Sequence, residues 1–109
     1  MSVTRDGITI TTQQDAGVGL TPKAPSFKSV GAASVEIVAA NPARRSLVLV
    51  NESTVRVYLA FGAHAAVVGR GIVLMPNGGT WEMDPSTYTT LAVNGIASEA
   101  ANVGVQEYD

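Results

Sequence analysis

The chain contains no cysteine, which excludes disulfide bonds, thiolate metal ligands and thiol nucleophiles. It contains one histidine, so a histidine proton relay or a transition-metal site would depend on a single imidazole. Charged residues make up 15% of the chain, and the formal net charge of −2 provides no general attraction to nucleic-acid phosphates. Stability must therefore come from packing, and nucleic acid is not an expected partner.

Long apolar runs are also missing. No stretch approaches the roughly 18 apolar residues of a membrane-spanning helix. Residues 1–6 lack the charged-then-apolar layout of a secretory signal. We therefore expect no membrane partner, and we expect synthesis in a cytoplasm or incorporation into a particle that assembles there.

The length and the apolar content indicate one domain that associates. The chain has 109 residues, of which 46% are hydrophobic, and this is enough for a single core. A domain of this size buries only roughly 60–65% of its unfolded surface. Few charged groups are present to keep neighbouring molecules apart. We therefore expect the remaining apolar surface to be buried in a homo-oligomer or against a partner.

The composition changes near residue 33. Residues 1–34 are rich in Thr, Gln, Gly and Pro and contain one short β-like run, at 7–12. We predict an extended N-terminal arm over 1–34, ahead of a β-domain over 35–109. One interpretation of the arm is a flexible terminus. The other is a clamp, in which Ile8 and Ile10 add a strand to a neighbour's sheet edge and Phe27 anchors the following segment.

From residue 35 onward, the hydrophobic pattern has the period of a β-strand. Residues 45–51 are apolar on both faces, which predicts an interior strand covered on two sides. In residues 55–61 the side chains at odd-numbered positions are apolar and are predicted to face the core. Residues 76–79 predict a hairpin turn. After this turn, Trp81 and Met83 share one face of the next strand. Further strands are predicted at 35–40, 72–75, 88–93 and 103–108, with a turn at Asn94-Gly95 and a strand or a single helical turn over 96–102. The fold class is therefore all-β, a two-sheet sandwich or a jelly-roll-like barrel.

Residues with catalytic potential are few. His64 lies in a small-residue segment, where a lone histidine is more often structural than catalytic. Glu82 and Asp84 share a strand face, a spacing that suits an acid–base pair or a calcium site but is more often a solvated face. We predict no enzymatic activity, no metal site and no cofactor.

The candidate contact residues are basic and aromatic. Arg44 and Arg45 form the only adjacent basic pair. One is expected to pair with a local carboxylate such as Glu36, and the other to reach an acidic partner surface. Tyr58 is predicted opposite the core set, where a ring stacks on a sugar or fills an interface pocket. The predicted partner-binding residues are Ile8, Ile10, Phe27, Arg44, Arg45 and Tyr58.

Three segments together carry a resemblance to a known class of proteins. They are NPARRSLVLVN at 41–51, VYLAFG at 57–62 and GIVLMPNGGTWEM at 71–83. With the Ala-rich end of the chain, they resemble small virion accessory proteins of tailed bacteriophages, among them capsid decoration (cement) proteins. The resemblance covers roughly residues 35–109, and the N-terminal arm has no counterpart in it.

The resemblance implies a β-sandwich or jelly-roll protein, often a dimer or trimer, that sits on the outer surface of the head. There it would bind the lattice of the major capsid protein and reinforce it. The alternative hypothesis is a tail or fibre-type recognition module that binds host glycan through Tyr58, Tyr88 or Trp81. A third hypothesis, an enzyme using His64 with a carboxylate, has the least support.

Overall fold

The computed structural model describes residues 19–109. The strands of this part of the chain are β1 Ser26–Val30, β2 Val35–Val38, β3 Ser46–Asn51, β4 Val57–Phe61, β5 Ile72–Leu74, β6 Thr80–Glu82, β7 Val93–Ala97 and β8 Ala101–Tyr108. All of their pairings are antiparallel, so the predicted all-β class is confirmed. Within residues 19–109 there is no helix with the length and apolarity needed to cross a membrane.

The strands form two four-stranded sheets, with the orders β1-β8-β3-β6 and β2-β7-β4-β5. We call them sheet I and sheet II. Consecutive strands alternate between the sheets, except β4 and β5, which are paired neighbours. The order is that of one long hairpin, pairing β1 with β8, β2 with β7, β3 with β6 and β4 with β5, rolled into two layers. This is a jelly roll, one of the two predicted forms of the sandwich.

The core lies between the sheets and is built from alternating strand positions. Leu47 and Leu49 of β3 are fully buried, as is Val57 of β4. The predicted interior position of β3 is confirmed, because β8 and β6 flank it. No other layer of residues 19–109 covers its other face, however, and Val48 and Val50 are only half-buried. In a two-layer sandwich each sheet has one inner face, so the prediction of cover on both sides of this strand was wrong.

The segment after β5 has the predicted turn but not the predicted hairpin. Asn77 and Gly78 take positive φ values of 61° and 100°, as the sequence indicated. The flanking strands do not pair with each other, because β5 pairs with β4 and β6 pairs with β3. The turn therefore carries the chain from sheet II to sheet I. Gly79 is required there, since a Cβ at this position would collide with the backbone of Met75.

Two predictions in the last quarter of the chain were also wrong. Asn94 and Gly95 lie inside β7, where neither has a positive φ, and a Cβ at Gly95 would meet the end of the Ile37 side chain. The strand predicted at 88–93 begins only at Val93, and the preceding residues form a loop. The ambiguous segment 96–102 consists of the end of β7, a turn at 98–100 and the start of β8.

The sandwich begins earlier in the chain than the predicted boundary at residue 34. β1 pairs with β8 along its whole length and is the edge strand of sheet I. Before it, Pro22 forms an isolated bridge with Tyr108. Part of the predicted arm is therefore integral to the domain. Ile8 and Ile10 lie outside the described residues.

Candidate partner-binding surface

Arg44 lies just before β3, and its side chain is fully buried. Its Nε donates a hydrogen bond to Glu107 Oε2 at 2.7 Å. Its Nη1 donates to the carbonyl oxygens of Leu91 at 2.7 Å and Thr89 at 3.2 Å, and Nη2 donates to that of Ala39 at 2.8 Å. Arg44 is therefore not a partner contact, because its side chain is fully buried and each of its three nitrogens donates inside the domain. Its carboxylate partner is Glu107, not the predicted Glu36.

Glu107 belongs to the same cluster and is itself buried. Its carboxylate also accepts from Asn41 Nδ2 at 3.1 Å and forms an ion pair with Lys23 Nζ at 3.3 Å. Burial alone would raise the pKa of Glu107, but hydrogen bonds from Arg44 and Asn41, with the charge of Arg44, outweigh it and lower the pKa. We call these four residues the Arg44 clasp. It ties the residues before β1 and β3 to the end of β8.

Arg45 points away from the clasp and is exposed. With Met83, Asp84, Pro85 and Tyr88 it lines a surface hollow of about 350 Å³. The ring of Tyr88 is 50% exposed, and its hydroxyl donates a hydrogen bond to the carbonyl oxygen of Arg44 at 2.6 Å. Arg45 forms no ion pair with any residue in the range 19–109. Its guanidinium is exposed, so Arg45 is the arginine of this pair to which the predicted partner contact still applies, and that contact stays a prediction.

The carboxylates on the predicted solvated face are placed as expected. Glu82 and Asp84 are both exposed. Hydrogen bonds from the hydroxyl and amide of Ser86, together with those from Thr87, lower the pKa of Asp84. Asp84 thus fixes the turn after β6 rather than pairing with Glu82. His64 is exposed in the loop between β4 and β5, and no group of three or more potential metal ligands occurs within residues 19–109.

An apolar groove opens where the two sheets end. β5 and β6 are the last strands of sheet II and sheet I on the same side of the sandwich. Near them, a groove of about 310 Å³ is lined by Phe61, Ile72, Trp81, Thr87 and Thr89. The Phe61 and Trp81 rings pack with their centroids 5.4 Å apart. We call this feature the edge groove.

The two hydroxyl groups of the edge groove are already engaged in local hydrogen bonds. Thr87 Oγ1 accepts from the Asp84 amide at 2.9 Å, and Thr89 Oγ1 accepts from the Leu91 amide at 3.1 Å. The sequence did not predict this groove, although it placed Phe61 and Trp81 each on an apolar strand face. What the sequence could not supply was the adjacency of β5 and β6, which belong to different sheets.

The remaining predicted contact residues lie on opposite faces. Phe27 is 68% exposed on the outer face of sheet I, opposite Gly104 of β8. Tyr58 is half-buried on the outer face of sheet II, between Val73 and Ile96. These side chains and Arg45 therefore do not form one site. Each belongs to a different surface of the sandwich.

Comparisons with protein-family models, with curated proteins and with solved structures find no match for this chain.

Proposed function

We propose that this chain is a structural protein of a phage particle, a decoration (cement) protein. In this role it binds the outer surface of the major capsid protein lattice and stabilises the head. The observation that carries the proposal is the exposure of two predicted contact residues, Phe27 at 68% and Arg45, which forms no ion pair with any residue in the range 19–109. The resemblance of residues 35–109 to phage virion accessory proteins supports the same role.

The physical argument is one of binding linkage. A protein that binds only the expanded form of a shell stabilises that form by its difference in affinity for the two states. Repeated copies on a symmetric lattice add avidity. A small sandwich held rigid by the Arg44 clasp suits this task, because little order is lost when it binds. Phe27 and Arg45 are the exposed side chains that we assign to capsid contact.

The direct test is to add the purified protein to empty heads of the phage that encodes it, before and after expansion, and to count bound copies. We expect saturable binding to expanded heads only. Phe27→Ser and Arg45→Ala should weaken binding, whereas Arg70→Ala, which removes an exposed arginine from the loop between β4 and β5, should not. Absence of binding to either form of the head would refute the proposal.

A second candidate function is glycan recognition by a tail or fibre-type module. The hollow beside Tyr88 favours it, since a half-exposed ring next to the exposed guanidinium of Arg45 offers a stacking surface and hydrogen-bond donors to a sugar. Glycan-array binding that Tyr88→Ala abolishes would support this candidate, with Tyr58→Ala as the comparison on sheet II. A silent array would count against it.

A further inference from the structure

We infer that β1 is an exchangeable strand, and that the edge of β8 with which it pairs binds the β1 of a second copy of this chain. In such an exchange each copy gives its β1 to the other and receives one in return, so the contacts of the closed domain are made again between two chains. The inference concerns self-association and does not depend on the proposed capsid partner. It is carried by the shallow burial of β1, by the contacts that hold it on β8 and by the connection that follows it.

β1 contributes little to the core, although it pairs with β8 along its whole length. Within the described part of the chain, four of its five residues are exposed, and only Val30 is buried. Strand alternation places Ser26 and Lys28 on the same side as Val30, and both are polar. Opening of β1 therefore exposes little apolar surface, and a segment with few buried contacts opens at a low free energy.

Release of β1 would leave β8 with a vacant edge. The two strands pair from Ser26 opposite Val105 to Val30 opposite Ala101, so the backbone groups of this stretch would lose their partners. Unpaired backbone groups are costly, and a vacant strand edge is a template for pairing with another chain. The vacated edge of β8 is therefore a binding site for an added strand.

The contacts just before β1 make that site selective for the same segment. The Lys23 amide donates to the carbonyl oxygen of Glu107 at 2.9 Å, and the Lys23 carbonyl oxygen accepts from Gln106 Nε2 at 2.7 Å. Lys23 Nζ also forms an ion pair with the Glu107 carboxylate at 3.3 Å. A second copy of the chain presents a lysine at this distance ahead of β1, so it restores the ion pair as well as the strand pairing.

The connection after β1 permits the exchange. Residues 31–34, with the sequence Gly-Ala-Ala-Ser, lead from β1 at the edge of sheet I to β2 at the edge of sheet II. Ala32 and Ala33 are exposed, and the connection contains no proline. Small exposed residues change their backbone angles without disturbing a core, which makes this pair suitable as a hinge.

The hydrogen bonds of the connection survive a hinge at Ala32 and Ala33. The Gly31 carbonyl oxygen accepts from the amide of Ala97 at 2.8 Å. Ser34 Oγ accepts from the amide of Ala66 at 2.9 Å. Gly31 moves with β1 and Ser34 stays with β2, so both bonds are made again in the exchanged dimer. Exchanged dimer and closed monomers thus differ at the hinge and in the freedom lost on association, and a high local concentration favours the dimer.

Cysteine cross-linking tests the exchange directly. Ser29 lies opposite Asn102, and its hydroxyl donates to Asn102 Oδ1 at 3.3 Å, so cysteines at these positions are within disulfide range. The chain has no other cysteine. Full-length Ser29→Cys and Asn102→Cys proteins, one with a size tag, are mixed at high concentration under mildly denaturing conditions, returned to buffer and oxidised. We expect a disulfide-linked heterodimer.

The control for random collision pairs Ser29→Cys with Arg70→Cys, which is exposed in the loop between β4 and β5. Its heterodimer yield should be at least about tenfold lower, because collisions act only at the solution concentration. The double variant Ser29→Cys with Asn102→Cys gives a second control. Oxidised at low concentration, it bridges its own β1 to its own β8, and it should then stay monomeric on concentration, whereas its reduced form should dimerise.

The length of the connection gives an independent test. Without Ala32 and Ala33 the connection spans at most roughly 10–11 Å, close to the ~10 Å between packed sheets. β1 then returns to its own β8 only under strain, so sedimentation should show dimer at concentrations where the full connection gives monomer. Insertion of Gly-Ser-Gly-Ser after Ala32 should have the opposite effect. A mixed-batch yield equal to that of the Arg70 control, or the same oligomer from the oxidised and reduced double variant, would overturn the inference.

Discussion

Segment 84–91 separates two regions of opposite character, the Arg44 clasp and the edge groove. The carbonyl oxygens of Thr89 and Leu91 accept hydrogen bonds from Arg44, while the Thr89 side chain lines the groove. The centre of the clasp, Arg44 with Glu107, is polar and buried, and its hydrogen bonds are made within the domain. The groove is apolar and open. In this molecule the buried charges thus serve stability, whereas the apolar side chains at the edge line an open groove.

The largest expected effect is at the clasp. Arg44→Met should lower the free energy of unfolding by about 3–5 kcal/mol, because it leaves the carboxylate of Glu107 buried without its main partner. The matched change Arg45→Met, one residue away but exposed, should alter stability by only about 0.5 kcal/mol. Urea denaturation of both variants measures the difference. Equal losses in the two variants would erase the contrast between clasp and surface.

The turn that joins β5 to β6 positions both borders of the groove, and Gly79 is its least replaceable residue. In Gly79→Ala the new methyl group would overlap the Met75 backbone, which we expect to cost about 1–3 kcal/mol. Gly31→Ala is the control, since a Cβ at Gly31 meets open space. Thermal unfolding should rank the two variants in this order. If Gly31→Ala were the more harmful, the packing assigned to this turn would be incorrect.

Acid should weaken the clasp. The folded-state pKa of Glu107 is lowered, so its contribution to stability is full above the unfolded-state pKa and is lost as pH falls through the folded-state pKa. We therefore expect Tm to fall on acidification from about pH 7 to about pH 3. Glu107→Gln should make that dependence shallower, whereas Glu36→Gln, at an exposed glutamate, should leave it nearly unchanged. An identical pH profile in all three proteins would contradict the role of Glu107.

The smallest expected effect on stability is at Phe27. Because this ring is 68% exposed, Phe27→Ser should change the free energy of unfolding by no more than about 0.5 kcal/mol. Phe61→Ser is the matched change in the groove, and it should cost about 1–3 kcal/mol because Phe61 packs against Trp81. Urea midpoints compare the two phenylalanines directly. A large loss at Phe27 would mean that the outer face of sheet I is covered by something other than solvent.

Local sequence patterns predicted the positions of the strands better than they predicted which strands pair with each other. Val57 and Leu59, which alternate with Tyr58, were predicted to face the core, and both are buried. The turn residues 76–79 were recognised for their backbone conformation, yet the flanking strands belong to different sheets. A turn signal reports local dihedral angles, and these are compatible both with a hairpin and with a crossing between layers.

The candidate site was harder to predict than the fold. The sequence indicated that one of the two arginines would find a carboxylate, but its partner Glu107 is 63 positions away in the chain. The edge groove depends on Phe61, Ile72 and Trp81, which come from three strands of two sheets. The periodicity of a single segment cannot predict that residues from three strands lie side by side.

The sequence by itself determined the all-β class, most inward-facing positions and the reliance on packing in a chain without cysteine, because each follows from composition or from side-chain alternation along one strand. Only the tertiary structure decided the jelly-roll order of the strands and the apolar groove at the open edge. It also decided that Arg44 is buried while the adjacent Arg45 is exposed. These features arise from contacts between residues distant in the chain, and such contacts are selected by how two whole sheets pack.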